Sequence, residues 1–194
     1  MSIPEIMKGL VQLHPGGPVE VADIPVPSPG KGEVLVKMAA APVNPSDLSQ
    51  LNGTYAVKPD YPYVPGIEGS GLVVASGKGL LPFLRNGKRV ACTSMPGKGG
   101  TWAEYMVTSA MRVIPIEKEI SYTEGAVMLV NPLTAIAFLS MAKEGDHRSV
   151  VNTPASSSLG KMVIRLFARE GITTINIVRN DLQKRVSQPK EQGL

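Results

Sequence analysis

Cysteine is nearly absent from this sequence. Cys92 is the only one in 194 residues, so neither an intramolecular disulfide nor a multi-cysteine zinc site can form. Histidine is almost as scarce. His14 and His147 lie far from Cys92 in the chain and in no interpretable motif, so Cys92 reads as a buried structural thiol and not as a nucleophile with a paired base. No stretch reaches the roughly 18 consecutive apolar residues that a membrane-spanning helix needs. Residues 1–10 contain neither a secretory hydrophobic core nor an Arg-rich amphipathic presequence. The cytosol is the default location on this reading, and a mitochondrial one stays open if a presequence has been removed. There is also no cluster of five or more basic residues. The net charge of +4, from 20 Lys and Arg against 16 Asp and Glu, is spread along the chain. That distribution indicates a solvated basic surface and not a nucleic-acid patch, and its sign also suits a bound polyphosphate. Internal repeats and low-complexity tracts are lacking too.

What is present is a globular composition, 43% hydrophobic and 19% charged, able to bury a core. The length is generous for one ordinary domain and short for two, which favours one domain followed by part of another. Residues 7–116 consist of short β-rich runs such as Val34-Leu35-Val36-Lys37-Met38-Ala39, Gly71-Leu72-Val73-Val74-Ala75 and Lys88-Arg89-Val90-Ala91-Cys92. Most of the 17 prolines fall between these runs, where they end strands and hold turns. This spacing predicts a sandwich or barrel.

After that the pattern changes. Ser121-Tyr122-Thr123-Glu124 forms a capping-box signature for a helix through residue 129. Asn131-Pro132 interrupts, and a second apolar helix is expected over residues 133–142, with Pro132 suiting its first turn. Ser149-Val150-Val151-Asn152 reads as a strand. Leu159, Met162, Val163, Leu166 and Phe167 recur at helical spacing, Gly171 sits where a helix C-cap is wanted, and residues 173–178 form a second strand. A polar helix broken by Pro189 is expected in residues 180–194. The fold class is therefore mixed β and α/β. A β-barrel domain covers residues 1–120, and an incomplete dinucleotide-binding α/β domain covers residues 121–194.

Candidate chemistry lies at the ends of the two α/β strands. The turn Thr153-Pro154-Ala155-Ser156-Ser157-Ser158-Leu159-Gly160 joins strand to helix through small residues, as a phosphate-binding turn must so that backbone N–H groups and the helix N-terminus can face a pyrophosphate. Only Gly160 matches the usual glycine pattern, so an ordinary strand-to-helix turn capped by serine stays open. The next strand ends at Arg179, followed by Asn180 and Asp181. An acidic residue there would accept the 2′-hydroxyl of NAD, whereas Arg suits the 2′-phosphate of NADP. A surface Arg at a strand end is the alternative.

Five ordered segments carry a family resemblance: Ala41-Pro42-Val43-Asn44-Pro45-Ser46-Asp47, Asn52-Gly53-Thr54-Tyr55, Val64-Pro65-Gly66-Ile67-Glu68-Gly69-Ser70-Gly71, Gly100-Thr101-Trp102-Ala103-Glu104-Tyr105 and Val130-Asn131-Pro132-Leu133-Thr134-Ala135. Together they resemble the medium-chain dehydrogenase/reductase superfamily, in particular its zinc-independent branch of mitochondrial-type 2-enoyl thioester reductases and quinone oxidoreductase-like proteins. The resemblance covers residues 7–185 and implies a GroES-like β-barrel domain followed by a Rossmann-type domain. Where zinc-dependent members carry a ligating His, this sequence has Ile67, and Asn44-Pro45-Ser46-Asp47 stands in the region of an earlier Cys ligand. No metal is therefore expected.

The resemblance implies NADPH as cofactor, with hydride passing to the β-carbon of an enoyl thioester. Tyr55 is implied as the proton donor, and Asn131 as a residue beside the nicotinamide end. Ser156, Ser157, Ser158, Leu159 and Gly160 would hold the pyrophosphate, while Arg179, Asn180 and Asp181 would hold the adenosine side. Packing in a loop is the alternative for Tyr55, and an N-cap before Pro132 is the alternative for Asn131. Tyr61, Tyr63 and Tyr105 read as packing aromatics, and Asn44 and Asp47 as groups that position the barrel turn. A small-molecule substrate, no nucleic acid or membrane partner, and a homodimer in the full-length family complete the implication. The six-stranded Rossmann sheet of the family is represented here by its first two strands. The expectations are therefore an NADPH-dependent enoyl thioester reductase inactive as this chain alone, a quinone reductase, or a fragment with only a binding or structural role.

Overall fold

The computed structural model describes residues 2–56 and 58–180, so the helix expected after residue 180 lies outside the described residues. It separates into two compact units between Leu129 and Val130.

The first unit begins with an antiparallel hairpin, β1 (Ile6–Gln12) and β2 (Val19–Pro25), in register from Ile6 opposite Pro25 to Gln12 opposite Val19. Five further strands form an antiparallel sheet: β3 (Glu33–Ala40), β4 (Glu68–Ser76), β5 (Arg89–Thr93), β6 (Tyr105–Ser109) and β7 (Val113–Pro115), in the order β6-β3-β4-β5-β7. Bridges from Gly9 to Ala103 and from Gln12 to Tyr63 tie the hairpin to this unit.

Strand β3 has an almost unbroken apolar run because both of its faces are covered. Val34 and Val36 pack with Val73, Val90, Met106 and Val113, while Leu35, pointing the other way, packs with Met7, Tyr105 and Val107. Each such fully buried valine or leucine contributes about 1.5–3 kcal/mol relative to exposure. The β-rich runs read from the sequence fall on β3, β4 and β5, and Tyr105 is the core aromatic it was expected to be, 8% exposed.

Three short helices decorate this sheet: α1 (Pro45–Leu51), α2 (Leu80–Arg85) and α3 (Tyr122–Gly125). The capping box opening α3 forms as expected, with Ser121 Oγ accepting from Glu124 N at 3.2 Å and Glu124 Oε2 accepting from Ser121 N at 2.9 Å. The helix closes at Gly125 and not at residue 129. Residues 117–129 are bound to the first unit. The Arg89 guanidinium donates to the carbonyls of Glu117, Lys118 and Ile120 and lies 4.5 Å over the Tyr122 ring. Ile116 and Leu129 pack on Ala91. These contacts explain why the compact units divide after α3, whereas the change of sequence pattern comes before it.

The second unit contains α4 (Val130–Glu144), β8 (Ser149–Asn152), α5 (Ser158–Arg169) and β9 (Thr173–Asn176), with β8 and β9 pairing in parallel from Ser149 opposite Thr173 to Asn152 opposite Asn176. Its core joins Ala135, Leu139 and Ala142 of α4 to Val163 and Phe167 of α5 and to Ile172. Gly171 follows α5 at φ +71°, the left-handed conformation of the C-cap residue expected there.

Two boundaries differ from expectation. Helix α4 begins at Val130 and takes Asn131 and Pro132 into its first turn, where a missing N–H costs no intrahelical bond. Asn131 is thus a first-turn residue and not an N-cap. Strand β9 ends at Asn176, two residues early: Ile177 N makes the last ladder bond to the Asn152 carbonyl at 3.0 Å, and the Ile177 carbonyl then accepts from Ala155 N at 3.1 Å, Pro154 having no N–H to offer.

Candidate active site

The loop carrying Tyr55 follows α1, and α1 is anchored at its start by buried polar groups. Pro45 fills its first turn, and Asp47, fully buried, accepts from the backbone N–H of Asn44 at 2.7 Å and of Ile67 at 3.0 Å. Burial pushes the Asp47 carboxyl above its ordinary range. The two backbone donors oppose that shift, and the charge of nearby Glu68 adds to it. Glu68, 1% exposed, accepts from Asn44 Nδ2 at 3.0 Å and from Leu129 N at 3.4 Å. Asn44 and Asp47 thus serve as positioning groups, stitching α1 to the start of β4. Glu68 is a third member of this network that sequence reasoning left unassigned. Ile67 contributes its backbone N–H to Asp47, and among the described residues no three His, Cys, Asp or Glu side chains gather to hold a metal ion.

At its far end α1 is held by Gln12, 1% exposed, whose Nε2 donates to the carbonyls of Leu51 and Gly17, both at 2.9 Å. The Gln12 backbone pairs in both directions with Tyr63, N to O, at 2.9 Å. Tyr63 Oη donates to Gln50 Oε1 at 2.6 Å. Both ends of the loop bearing Tyr55 are therefore fixed to one buried glutamine. Inside the loop, Thr54 N and Tyr55 N converge on the Ser49 carbonyl at 2.9 and 3.2 Å. Tyr55 itself is 37% exposed and lines a cleft of about 480 Å³ together with Lys58, Tyr61, Tyr63, Met95 and Arg112. Burial raises the Tyr63 phenol to about 12, with Asp47 and Tyr61 adding to the shift, so its proton stays in place at neutral pH. Cys92 does not line this cleft. Its Sγ donates to the Gly69 carbonyl at 3.4 Å, and burial, with the charge of Glu68 adding to it, pushes the thiol up to about 12, too high for a thiolate nucleophile.

The second unit carries the nucleotide-side candidates. Ser157 caps α5, its Oγ accepting from Gly160 N at 3.0 Å, so the turn of Ser156, Ser157, Ser158, Leu159 and Gly160 leads straight into the helix start. Ser156, Ser157 and Leu159 are half-buried and Ser158 is exposed, while Ala155 and Gly160 are buried. Asn152, at the end of β8, donates from Nδ2 to the Gly160 carbonyl at 3.1 Å and to Asn176 Oδ1 at 3.0 Å, joining the turn to the end of β9. Neither asparagine was singled out from the sequence. The available signal was a polar residue closing each of two otherwise β-branched strands. Arg179 and Asn180 are exposed just beyond β9, Asn131 is half-buried in the first turn of α4, and Asp181 lies outside the described residues.

Glycine is required at position 160 by close approach. A Cβ there would stand 2.5 Å from the Pro154 carbonyl oxygen and 2.6 Å from that of Ala155, both backbone atoms. Gly160→Ala is expected to cost about 1–3 kcal/mol of overpacking strain. Hydrogen exchange should speed up over residues 149–178 and stay unchanged over residues 33–109, and unaltered protection across β8 and α5 would refute this reading.

Residues 30–118 match the alcohol dehydrogenase GroES-like domain family. Among curated proteins, the mitochondrial enoyl-[acyl-carrier-protein] reductase of Xenopus tropicalis is 34% identical over 194 residues, which cover 96% of this chain and 54% of that protein. The human protein of the same name is 34% identical over 98% of this chain and 52% of its own length. Among solved structures, a Mesorhizobium loti protein assigned as an NADPH:quinone reductase superposes with a TM-score of 0.88 at 35% identity, covering 96% of this chain and 59% of that one. The quinone oxidoreductase of Thermus thermophilus, solved also in complex with NADPH, gives 0.77 at 25% identity over 91% of this chain and 55% of that one. The chain spans about half the length of the curated relatives it matches. A GroES-like domain leading into a β-α-β unit like the start of a Rossmann sheet, with these relatives, identifies the chain as a member of the medium-chain dehydrogenase/reductase superfamily.

Proposed function

We propose that this chain is the front half of an NADPH-dependent reductase of 2-enoyl thioesters, of the zinc-independent kind, in which Tyr55 supplies the proton. The supporting observation is the placement of Tyr55: partly exposed, in a 480 Å³ cleft, on a loop whose ends are pinned by Gln12. The residues present suit NADPH. Ser157 caps the helix that would face the pyrophosphate, and Arg179, exposed just beyond β9, would pair its cation with the 2′-phosphate. Bound there, NADPH would supply the hydride that reaches the β-carbon of the substrate.

Tyr55 would then give its phenolic proton to the α-carbon, completing addition of two hydrogens across the double bond. Ser156, Ser157, Ser158, Leu159 and Gly160 would hold the pyrophosphate. Arg179, Asn180 and Asp181 would hold the adenosine end, and Asn131 the nicotinamide end. The substrate is a small molecule. The curated relatives are named mitochondrial, so a mitochondrial location is proposed beside the cytosolic default, and a homodimer is proposed for the whole enzyme. No helix among the described residues is long and apolar enough to cross a membrane.

The likeness to the Mesorhizobium loti structure favours a quinone as the alternative acceptor. NADPH oxidation by a chimera that completes this chain with the remaining half of the Xenopus relative, assayed with a crotonyl thioester and with a quinone, separates the two. Faster quinone reduction would overturn the thioester reading. Cofactor choice has its own test. Arg179→Ala is expected to weaken NADPH binding by about 1.5–3 kcal/mol, the weight of a charge-assisted bond to phosphate, and to leave NADH binding unchanged. Calorimetric titration of both nucleotides checks it, and equal losses would sink the assignment.

A further inference from the structure

Among the described residues, buried side-chain polar atoms without a hydrogen-bond partner are Gln12 Oε1, Tyr61 Oη and Arg85 Nε. Of these, only the Tyr61 atom belongs to a residue lining the cleft that holds Tyr55. The neighbouring tyrosine shows what a satisfied hydroxyl looks like in the same place. Tyr63 Oη donates to Gln50 Oε1 at 2.6 Å, and the Tyr61 ring meets the Tyr63 ring edge-on, with centroids 6.2 Å apart at 73°. The structure thus contains two phenols side by side, one with its proton committed and one with a sealed, unused donor. A hydroxyl buried without a partner is destabilising, and such groups in native proteins call for an explanation, a bound ligand among them.

From this we infer that Tyr61 is a second hydroxyl donor of the cleft: when an acyl thioester occupies it, the Tyr61 side chain swings its hydroxyl, closed to solvent in the free chain, onto the thioester carbonyl oxygen. The inference rests on the proposal that thioesters bind beside Tyr55. It fills a gap in that chemistry, because the negative charge reaching the carbonyl oxygen needs a donor held against it, and the two cations lining the cleft, Lys58 and Arg112, both stand exposed to solvent. As hydride bonds to the β-carbon, the double-bond electrons move to form a bond between the α-carbon and the carbonyl carbon, and the carbonyl π pair moves onto oxygen. Tyr61 donates a hydrogen bond to that oxygen and keeps its proton. Protonation of the α-carbon by Tyr55 returns the pair and restores the carbonyl, and water later re-protonates Tyr55.

The cleft lies wholly within the first compact unit, so the chain as it stands can be tested. The probe is the butanoyl thioester of pantetheine, isotopically labelled at the carbonyl. It has the acceptor oxygen but no double bond to reduce. At millimolar thioester, difference infrared spectra should show the carbonyl stretch shifted down in the native chain and in Tyr55→Phe, and returned to its solution frequency in Tyr61→Phe. Affinity should fall about three- to tenfold in Tyr61→Phe, the weight of one neutral hydrogen bond. The melting temperature of that variant should hold or rise, since it removes an unsatisfied group. Tyr63→Phe, which breaks a bond made inside the protein, should instead melt lower with the carbonyl shift intact. No binding of the probe, an unchanged stretch in Tyr61→Phe, or a lower melting temperature for that variant would each overturn the inference. Because the probe cannot be reduced, a Tyr61-dependent shift stands even if the completed chimera proves to be a quinone reductase.

Discussion

Tyr55→Phe, in the chimera completed with the relative's remaining half, is expected to lower turnover of a crotonyl thioester by about 100-fold or more and to leave NADPH affinity where it was. The magnitude is that of a general acid removed from a step whose proton must come from a positioned group. Phenylalanine keeps the ring that lines the cleft and deletes only the hydroxyl, and the loop geometry does not depend on that hydroxyl. What fixes the loop is the backbone of Thr54 and Tyr55 on the Ser49 carbonyl and the Gln12 side chain on Leu51. The nucleotide-side groups proposed for NADPH lie in the other compact unit, at the ends of β8 and β9. A drop in kcat with unchanged nucleotide binding is therefore the signature of an interaction made only as the reaction proceeds. Steady-state kinetics with thioester and NADPH varied separately would read it. Turnover retained within a factor of about two or three, or NADPH affinity lost in parallel, would remove Tyr55 from the acid role.

The comparison with Tyr61 makes this test sharper. Both phenols line one cleft, yet they are asked for different things. Tyr55 must lose its proton to carbon, whereas Tyr61 must keep its proton while sharing it with oxygen. Tyr55→Phe should abolish protonation while the carbonyl of a bound saturated thioester still registers a donor, and Tyr61→Phe should do the reverse. If Tyr55 were instead the group that touches the carbonyl, the infrared shift would follow Tyr55, and the two roles would have to be exchanged.

Much of this architecture was legible in the residues, and the parts that were not share a physical cause. The β runs of residues 34–39, 71–75 and 88–92 could be read because apolar β-branched side chains on a pleated surface and flanking Pro and Gly leave few alternatives. The same holds for the strand at Ser149-Val150-Val151-Asn152, the N-cap at Ser121 and the glycine cap at Gly171, each a local pattern with a local cause. Pro132 stands in a first turn as its residue type suggests, but the helix starts ahead of the Asn131-Pro132 break, since proline signals only that its own N–H is missing. Whether that matters depends on where the helix starts, and here it starts at Val130.

The unread features are all long-range. Gln12 acts on Leu51 across 39 residues of sequence, Asn44 on Glu68 across 24, and Asn152 on Asn176 across 24. A lone Gln at the end of an apolar strand carries no sequence signature of a clamp, and a tyrosine before proline carries none of an unsatisfied hydroxyl. Such roles exist only once the chain has brought distant backbone carbonyls and rings together. For Asp47 the type of residue suggested a turn-positioning role, but its complete burial and its second bond to Ile67 emerge only from the packing.

The largest effect of all is expected from the chain of 194 residues assayed alone, which should turn over neither a thioester nor a quinone at a useful rate. Hydride transfer requires the nicotinamide held within about 3–3.5 Å of the acceptor carbon, and that positioning supplies much of an enzyme's rate. Among the described residues the parallel sheet has two strands, β8 and β9, and Val151, Ile175 and Ile177 on or just beyond them are more than half exposed at 61%, 55% and 51%. Apolar side chains so exposed on a parallel sheet mark a face that α/β proteins ordinarily cover with helices. The proposed pyrophosphate turn, Arg179 and Asn131 can grip a dinucleotide at one end. A half-site of this kind must also be ordered by its ligand, and that conformational entropy reduces affinity further. Weak nucleotide binding without turnover is the expected result. The measurement is NADPH oxidation by the purified chain, its mass confirmed, with a crotonyl thioester and with a quinone, beside the Xenopus relative as reference. A rate within about tenfold of that reference, a gap of only about 1.4 kcal/mol in the barrier, would show that the groups described here suffice to place the nicotinamide, and the half-site argument would have to be given up.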